Sequence, residues 1–302
     1  MKYHDDAVAR GVLIVHCCGF DSIPADLGTI FTSTRFGTAE GGTCTYNDAC
    51  ECVESFITVD APKGACGHFG TWESLVNSIA NYKNLLLLRK RQAAKDKAAA
   101  HADKAPLQQR MARRQSPYWE PRMGAYAMPF PGADVSVVRL SQRLIGRSCE
   151  THPVQYSAYF CVPSLLAVVL FSLFGSLLAF MCKFAFTRSL LLKFPRFFSY
   201  GMFSHEGPTE EQIRATKFAM TFFARGRSAG KERAVVTRVS GPEPGYHATP
   251  IFLVQSALCI LEGKTKFRTR GGVVTPGAAF NGTDLVVRLQ RSGVDFVEQP
   301  PQ

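Results

Sequence analysis

Acidic residues are scarce in this sequence: 24 Asp and Glu stand against 35 Lys and Arg in 302 residues, a formal net charge of +11. A balance of that sign points to nucleic acid or an anionic membrane unless the charge is local. Here it is largely local, because nine Lys and Arg lie between Arg89 and Arg114 against only Asp96 and Asp103. No aromatic residue is interleaved with those charges, so the stretch lacks the stacking platform of a nucleic-acid groove and reads as a solvated helical face or insertion. Cysteine is also dilute, at ten residues, which excludes a disulfide scaffold. The opening Met1 to Arg10 is polar and unlike a signal peptide, so reduced thiols in a cytosol-facing protein are expected. No internal repeat is visible, and the Asn281-Gly282-Thr283 triplet reads as accidental without other marks of secretion. What is present, 46% hydrophobic and 20% charged residues, belongs to a folding chain of about two domains.

Charge is missing altogether from Thr151 to Cys182, and from Tyr156 onward the run is apolar on every helical face. Such a run is long enough to seek a bilayer, and Tyr156, Leu165, Leu166, Val169, Phe171, Phe174, Leu177 and Phe180 are its expected lipid-facing residues. Lys183, Arg188, Lys193 and Arg196 follow, set among phenylalanines and leucines suited to a headgroup region. Arg139, Arg143 and Arg147 precede the run, so both flanks are basic and the asymmetry that orients a single span is absent. Pro163 and Gly175 can break it into a re-entrant hairpin or an oblique helix, and a monotopic arrangement is expected.

Elsewhere the pattern mixes strands and helices. Residues 42 to 60 alternate and are β-branched, which predicts one or two strands. Thr71 reads as the N-cap of a helix carrying Trp72, Leu75, Val76 and Ile79, after which prolines from Pro106 to Pro131 mark a long connection. Gly207 to Glu210 opens a short helix. Phe218 to Ala224 and Arg233 to Val239 predict a hairpin across a glycine-containing turn. Thr249-Pro250 begins a helix whose packed face is expected to hold Phe252, Leu253, Ala257, Leu258 and Leu261.

The opening segment carries the most chemistry. Val12 to His16 suits a parallel strand, Cys17 to Phe20 a tight turn, and Asp21 or Ser22 the N-cap of a helix with Pro24 near its start. Such a junction lies at the carboxyl edge of a parallel sheet, where amides at the helix start face a ligand crevice.

The stretch HCCGFDSIPADLG, His16 to Gly28, resembles the GFDSIPxDLG segment of the saccharopine dehydrogenase-like oxidoreductases. Further blocks agree in order: Val53 to Phe56, Gly70 to Trp72, Gly132 to Val137, Pro153 to Tyr156, Lys193 to Pro195, Gly207 to Thr209, Gly241 to Tyr246, Ala248 to Pro250 and Gly271 to Phe280. The resemblance spans nearly the whole chain. It departs at one point: members of the family begin with a strand and a GxxGxxG turn that cradles the dinucleotide pyrophosphate, and no such motif opens this sequence. Gly37 to Gly42 is wrongly spaced for it. The chain therefore reads as the later portion of such a protein, short of roughly 100 to 150 residues of nucleotide-binding fold.

The resemblance implies an α/β (α+β) fold: the end of a Rossmann-type parallel sheet, then a mixed-sheet substrate domain with an inserted hydrophobic membrane-associating helix or hairpin. The expected divisions are a nucleotide-binding remnant over 1–35, a first substrate part over 36–150 with a basic insertion at 89–131, the hydrophobic segment over 151–200, and a second substrate part with the C-terminal return over 201–302. NAD or NADP is the implied cofactor, with Gly19, Phe20, Asp21 and Ser22 at its edge. Relatives that are enoyl reductases of glycolipid synthesis, or that associate with lipid droplets, imply a small lipid-like enoyl or carbonyl substrate. A membrane, lipid-droplet or mitochondrial location goes with it. Tyr246 and Thr71 are the weak candidates for a proton donor or substrate contact. The other reading keeps the scaffold and drops the chemistry, as a non-catalytic lipid-surface protein.

Two sharper hypotheses fall on spacing. Cys44, Cys50, Cys52, Cys66 and His68 contain no CxxC knuckle, so no metal site is expected. His16 and Cys17 are adjacent, and neighbours on a strand point to opposite faces, so a His–Cys pair is not expected there.

Overall fold

The structure is a computed structural model that describes residues 3–37, 50–99, 111, 114–146, 153–263, 267 and 271–300. The expectations for the residues from 38 to Gly42 and for Cys44, and residues 100–110, 112 and 113 of the basic insertion, lie outside these residues. In chain order the first unit contributes α1 (His4–Ala9), β1 (Leu13–Val15), α2 (Ile23–Ser33) and β2 (Cys50–Asp60). The second supplies β3 (Gly67–His68), α3 (Phe69–Ala80) and α4 (Tyr82–Ala99). The chain then gives the first unit β4 (Tyr118–Glu120), β5 (Ala125–Pro129), α5 (Asp134–Gly146) and β6 (Gln155–Val162). It adds α6 (Leu165–Met181), α7 (Ala185–Lys193), α8 (Pro195–Phe198), β7 (Phe203–Ser204) and α9 (Glu210–Ala215) to the second. It ends in the first with β8 (Lys217–Ser228), β9 (Lys231–Pro242), α10 (Thr249–Glu262), β10 (Gly272–Val274), α11 (Pro276–Phe280), α12 (Leu285–Arg291) and β11 (Asp295–Gln299). The units are residues 1–60, 104–163 and 217–302, and residues 61–103 and 164–216.

The first unit is built on a seven-stranded sheet in the order β11-β9-β8-β2-β6-β5-β4, antiparallel except for the β2–β6 pair, with a separate parallel pair of β1 and β10. The predicted hairpin is β8–β9, in register from Lys217↔Pro242 to Ser228↔Lys231, and its turn falls at Ala229 and Gly230, both left-handed. Helices α2, α5, α10, α11 and α12 contribute Leu27, Val138, Phe252, Phe280 and Leu289 to one core with Val53, Tyr156 and Phe222 of the sheet. Gly28 shows how close that packing is: a Cβ there would lie 2.3 Å from the Phe222 ring, so only glycine lets α2 settle on β8. On the other sheet face Arg122 lies over Phe223, 4.2 Å from the ring centre, and pairs with Glu54 at 2.9 Å and Glu120 at 2.7 Å. Around α10 the buried side chains are Phe252, Ser256 and Cys259, while Leu253 and Leu261 are exposed, which corrects the expected face. That helix is apolar nearly all round, so periodicity alone could not select the packed side.

The second unit packs α3 against the ends of α6 and α7 around Trp72, Val76, Leu178, Cys182 and Leu191, with Trp72 Nε1 donating to the Leu191 carbonyl at 2.8 Å. His68, not Thr71, caps α3: its Nδ1 accepts the Gly70 amide at 3.2 Å, and Thr71 lies exposed inside the first turn. Thr209 and Gln212 close a reciprocal capping box on α9, leaving Pro208 just outside the helix.

The apolar run divides differently from the sequence expectation. Its first part, Gln155–Val162, is β6, held between β2 and β5, and Tyr156 is fully buried there instead of facing lipid. Alternation is hidden in β6 because the strand is covered on both faces, so it reads as continuous apolar sequence. The helix that remains, α6, has 17 residues, about 25 Å at the usual rise. Among the described residues no helix is long and apolar enough to cross a membrane.

Candidate functional site

Strand β1 runs parallel to β10 with Leu13↔Gly272 and Val15↔Val274 in register, and each strand leads directly into a helix. The two junctions, β1–α2 and β10–α11, thus place two helix starts at one carboxyl edge, the position at which α/β sheets bind ligands. Asp26, in the first turn of α2, joins them. Its Oδ2 accepts the Gly277 amide of α11 at 2.6 Å and the Ser141 hydroxyl of α5 at 2.7 Å, and Ser141 meets the Thr275 hydroxyl in turn. The approach is close, since a Cβ on Gly277 would lie 2.5 Å from Asp26 Oδ1.

A second carboxyl, Asp134, begins α5 and is 3% exposed. Burial pushes it up to about 8, with the charges of Asp21 and Asp26 adding to the shift, so it holds its proton at neutral pH. Asp26 is pushed up to about 6 by its own burial, against the opposing pull of Ser141 and the Gly277 amide. The Oδ1 atoms of both residues have no hydrogen-bond partner among the described residues. Tyr156 and Ser55 complete the buried polar group, their hydroxyls 2.6 Å apart across the β2–β6 pair. Burial, then Asp134, raises the Tyr156 phenol well above its usual value.

The turn from Cys17 to Ser22 lies at this edge. Asp21 is exposed, Gly19 and Phe20 are half-buried, and Ser22 is the buried N-cap residue, without a side-chain cap bond. The turn is closed upon itself: Phe20 donates its amide to Thr249 Oγ1 at 3.1 Å, and the Ser22 and Ile23 amides both go to the Gly19 carbonyl. Those three donors are therefore spent, which leaves this turn fewer open amides than a dinucleotide pyrophosphate cradle uses. His16 Nδ1 lies 2.9 Å from Cys17 Sγ, which corrects the expectation that the pair would diverge. β1 ends at Val15, so strand alternation no longer applies, and the left-handed backbone at Cys17 (φ 62°) turns the thiol back toward the ring. Burial lowers the His16 pKa and raises that of Cys17, which favours the neutral pair.

Tyr246 sits in the turn Pro244–Ala248, whose amides at Gly245, Tyr246 and His247 all bond to the Glu243 carboxylate, and its side chain is exposed. Thr71 belongs to α3 of the other unit. Of the expected lipid-facing residues, Leu165, Leu166, Val169, Phe171, Leu177 and Phe180 are exposed on α6 and Phe174 is half-buried. Among the described residues no three His, Cys, Asp or Glu side chains gather where they could hold a metal.

No family model matches the chain. It is similar to a saccharopine dehydrogenase-like oxidoreductase of Pongo abelii, at 41% identity over 305 residues, covering 98% of this chain and 67% of that protein. The chain belongs to the saccharopine dehydrogenase-like oxidoreductase family. A probable mitochondrial saccharopine dehydrogenase-like oxidoreductase of Arabidopsis thaliana is 33% identical over 327 residues, with 98% and 68% covered. A Caenorhabditis elegans protein named as lipid droplet localized is 30% identical over 311 residues, with 98% and 69% covered. For this family member the sequence found the turn at Gly19 to Ser22 but missed the buried pair behind it. Asp26 and Asp134 are 108 positions apart and meet only through helix packing. The one available signal was two aspartates just inside the starts of helices with an apolar face, where burial of that face takes the carboxyl with it.

Proposed function

We propose that this chain provides the substrate side of a nicotinamide-dependent oxidoreductase that acts on a lipid-related enoyl or carbonyl compound taken from a membrane or droplet surface. The observation that carries the lipid reading is α6, which leaves all but two of its 17 residues incompletely buried although every one is apolar or small. Leu166 and Leu173 are 68% and 64% exposed. Burying each such side chain is worth about 1.5–3 kcal/mol, so a helix of this kind is stabilised by lying in lipid. The names of the oxidoreductase relatives support the redox class, and that of the Caenorhabditis elegans relative supports a lipid surface.

Reducing a carbonyl or enoyl bond takes a proton as well as a hydride. The described residues can provide the proton. Asp134 is a protonated acid at neutral pH, coupled electrostatically to Asp21 at the exposed edge of the turn. Tyr246 is exposed and its backbone is fixed by Glu243, which suits it to contact substrate more than to hold a tuned proton. Gly19 to Ser22 then form the rim of the crevice, not its phosphate cradle.

A second reading, a lipid-surface protein without redox chemistry, is favoured by one observation, the bonding of the Phe20, Ser22 and Ile23 amides within the protein. A trans-2-enoyl glycerolipid carrying a diazirine, embedded in vesicles and photolysed with this chain, separates the two. Labels on residues 165–180 and on residues 16–26 are the result expected of the substrate-side reading. Labels on α6 alone support the second, and labels on neither reject both.

A further inference from the structure

In the second unit a cleft of about 450 Å³ opens between the end of α7, α8 and the residues after β7. Lys193 and Arg196 line it with Ser204 and His205, and Phe194 and Phe197 stand at its sides. Neither Lys193 nor Arg196 is within salt-bridge distance of a carboxylate among the described residues, and both are exposed. The two rings are exposed as well, Phe197 by 77% and Phe194 by 48%. From Ser164 to His205 the sequence holds four Lys and Arg and no acid, and Glu206 brings the first carboxylate to the cleft. The acid that does line it, Glu206, is held by its own backbone amide and the Ser204 hydroxyl ahead of Arg196.

Two cations without a salt-bridge partner among the described residues, Lys193 lying 5.6 Å from the Phe194 ring centre, match a ligand with an anionic head and an apolar body. A phosphate takes charge-assisted hydrogen bonds from lysine and arginine, while exposed phenylalanines beside basic residues bury their rings at the boundary between headgroups and acyl chains. Free phosphate satisfies the first feature and leaves the rings in water; an anionic phospholipid satisfies both. We propose that this cleft is a headgroup site for an anionic glycerophospholipid, with the phosphate between Lys193 and Arg196 and the acyl chains leaving across Phe194 and Phe197. The proposal rests on the reading that α6 docks on lipid, and adds to it a specific lipid chemistry and a place.

Titration calorimetry with dihexanoyl phosphatidate below its micellar concentration tests it. One molecule per chain is expected to bind. The Lys193→Gln/Arg196→Gln variant is expected to bind about thirtyfold more weakly, from two cations each worth about 1 kcal/mol near a lipid phosphate. Lys183→Gln/Arg188→Gln, which removes equal charge outside the cleft, is expected to bind as the parent does, and Glu206→Gln more tightly. Equal weakening by the two double variants means diffuse attraction and overturns the site. Binding of inorganic phosphate as tight as that of the lipid, or equal binding of dihexanoyl phosphatidylcholine, overturns the ligand. Absence of all calorimetric binding while the chain still floats with vesicles removes the headgroup site and leaves docking intact. Failure to float with any vesicle removes the docking reading itself.

Discussion

Helices α2 and α6 are both mainly apolar, α6 the more so, and have opposite fates. α2 buries eight of its eleven residues against the sheet, Asp26 among them, whereas α6 buries Val168 and Leu178 alone of its 17. The difference lies in partners. α2 has Gly28, which lets it approach Phe222 of β8, and a carboxyl that ties it to α11 and α5. α6 has leucine and phenylalanine around its circumference and no such tie. Apolar sequence therefore states that a helix needs cover, and close packing with matched polar bonds to neighbouring elements shows that the protein itself provides it.

The comparison breaks most visibly if α6 is made polar. Leu166→Asp/Leu170→Asp/Leu173→Asp is expected to lower binding to phospholipid vesicles about a thousandfold, measured by flotation, from three leucines worth at least about 1.5 kcal/mol each. The melting temperature should stay near that of the parent, because all three side chains are exposed already. The same insult to the α2 side is structural: Phe222→Ala, at a fully buried ring beneath Gly28, is expected to cost about 3–5 kcal/mol in chemical denaturation and to leave vesicle affinity unchanged.

A finer contrast is in pH. Asp26 and Asp134 bind protons more tightly folded than unfolded, so their contribution is full below pH 4 and is lost as pH rises through about 6 and about 8. Stability should therefore fall by a few kcal/mol between pH 4 and pH 8. Asp134→Asn should flatten the upper half of that fall and about halve the slope of the lower half, whereas Asp26→Asn should about halve the lower half alone, in urea denaturation at a series of pH values. The smallest effects separate cap from bystander: His68→Ala should cost α3 about 1 kcal/mol and Thr71→Ala less than about 0.5 kcal/mol.

Much of the fold was legible from local chemistry. The β1–α2 junction was marked by the apolar Val12 to Val15 and by Pro24, the hairpin by Val235 to Val239 and Gly230, and α10 by Thr249-Pro250. What was not legible depends on distance or on symmetry of pattern. β6 hid in the apolar run because both of its faces are covered. Thr71 passed for a cap because a threonine before an apolar period looks the same wherever the helix begins, and the histidine three residues earlier is a less usual acceptor. Of the candidate site, the turn at Gly19 to Ser22 could be named, but not that its Phe20 and Ser22 amides are taken by Thr249 and by the Gly19 carbonyl. The buried group of Asp26, Asp134, Ser141 and Tyr156 exists only once α2, α5 and β6 are packed, and no window of sequence contains it.

The claim that most depends on this contrast is that α6 lies in lipid, and bilayer-depth quenching tests it most directly. A tryptophan placed at Leu170 should add emission that vesicles with brominated acyl chains quench and that shifts to shorter wavelength on binding. Added emission that stays unquenched and unshifted, on vesicles that carry the protein with them in flotation, would contradict the account.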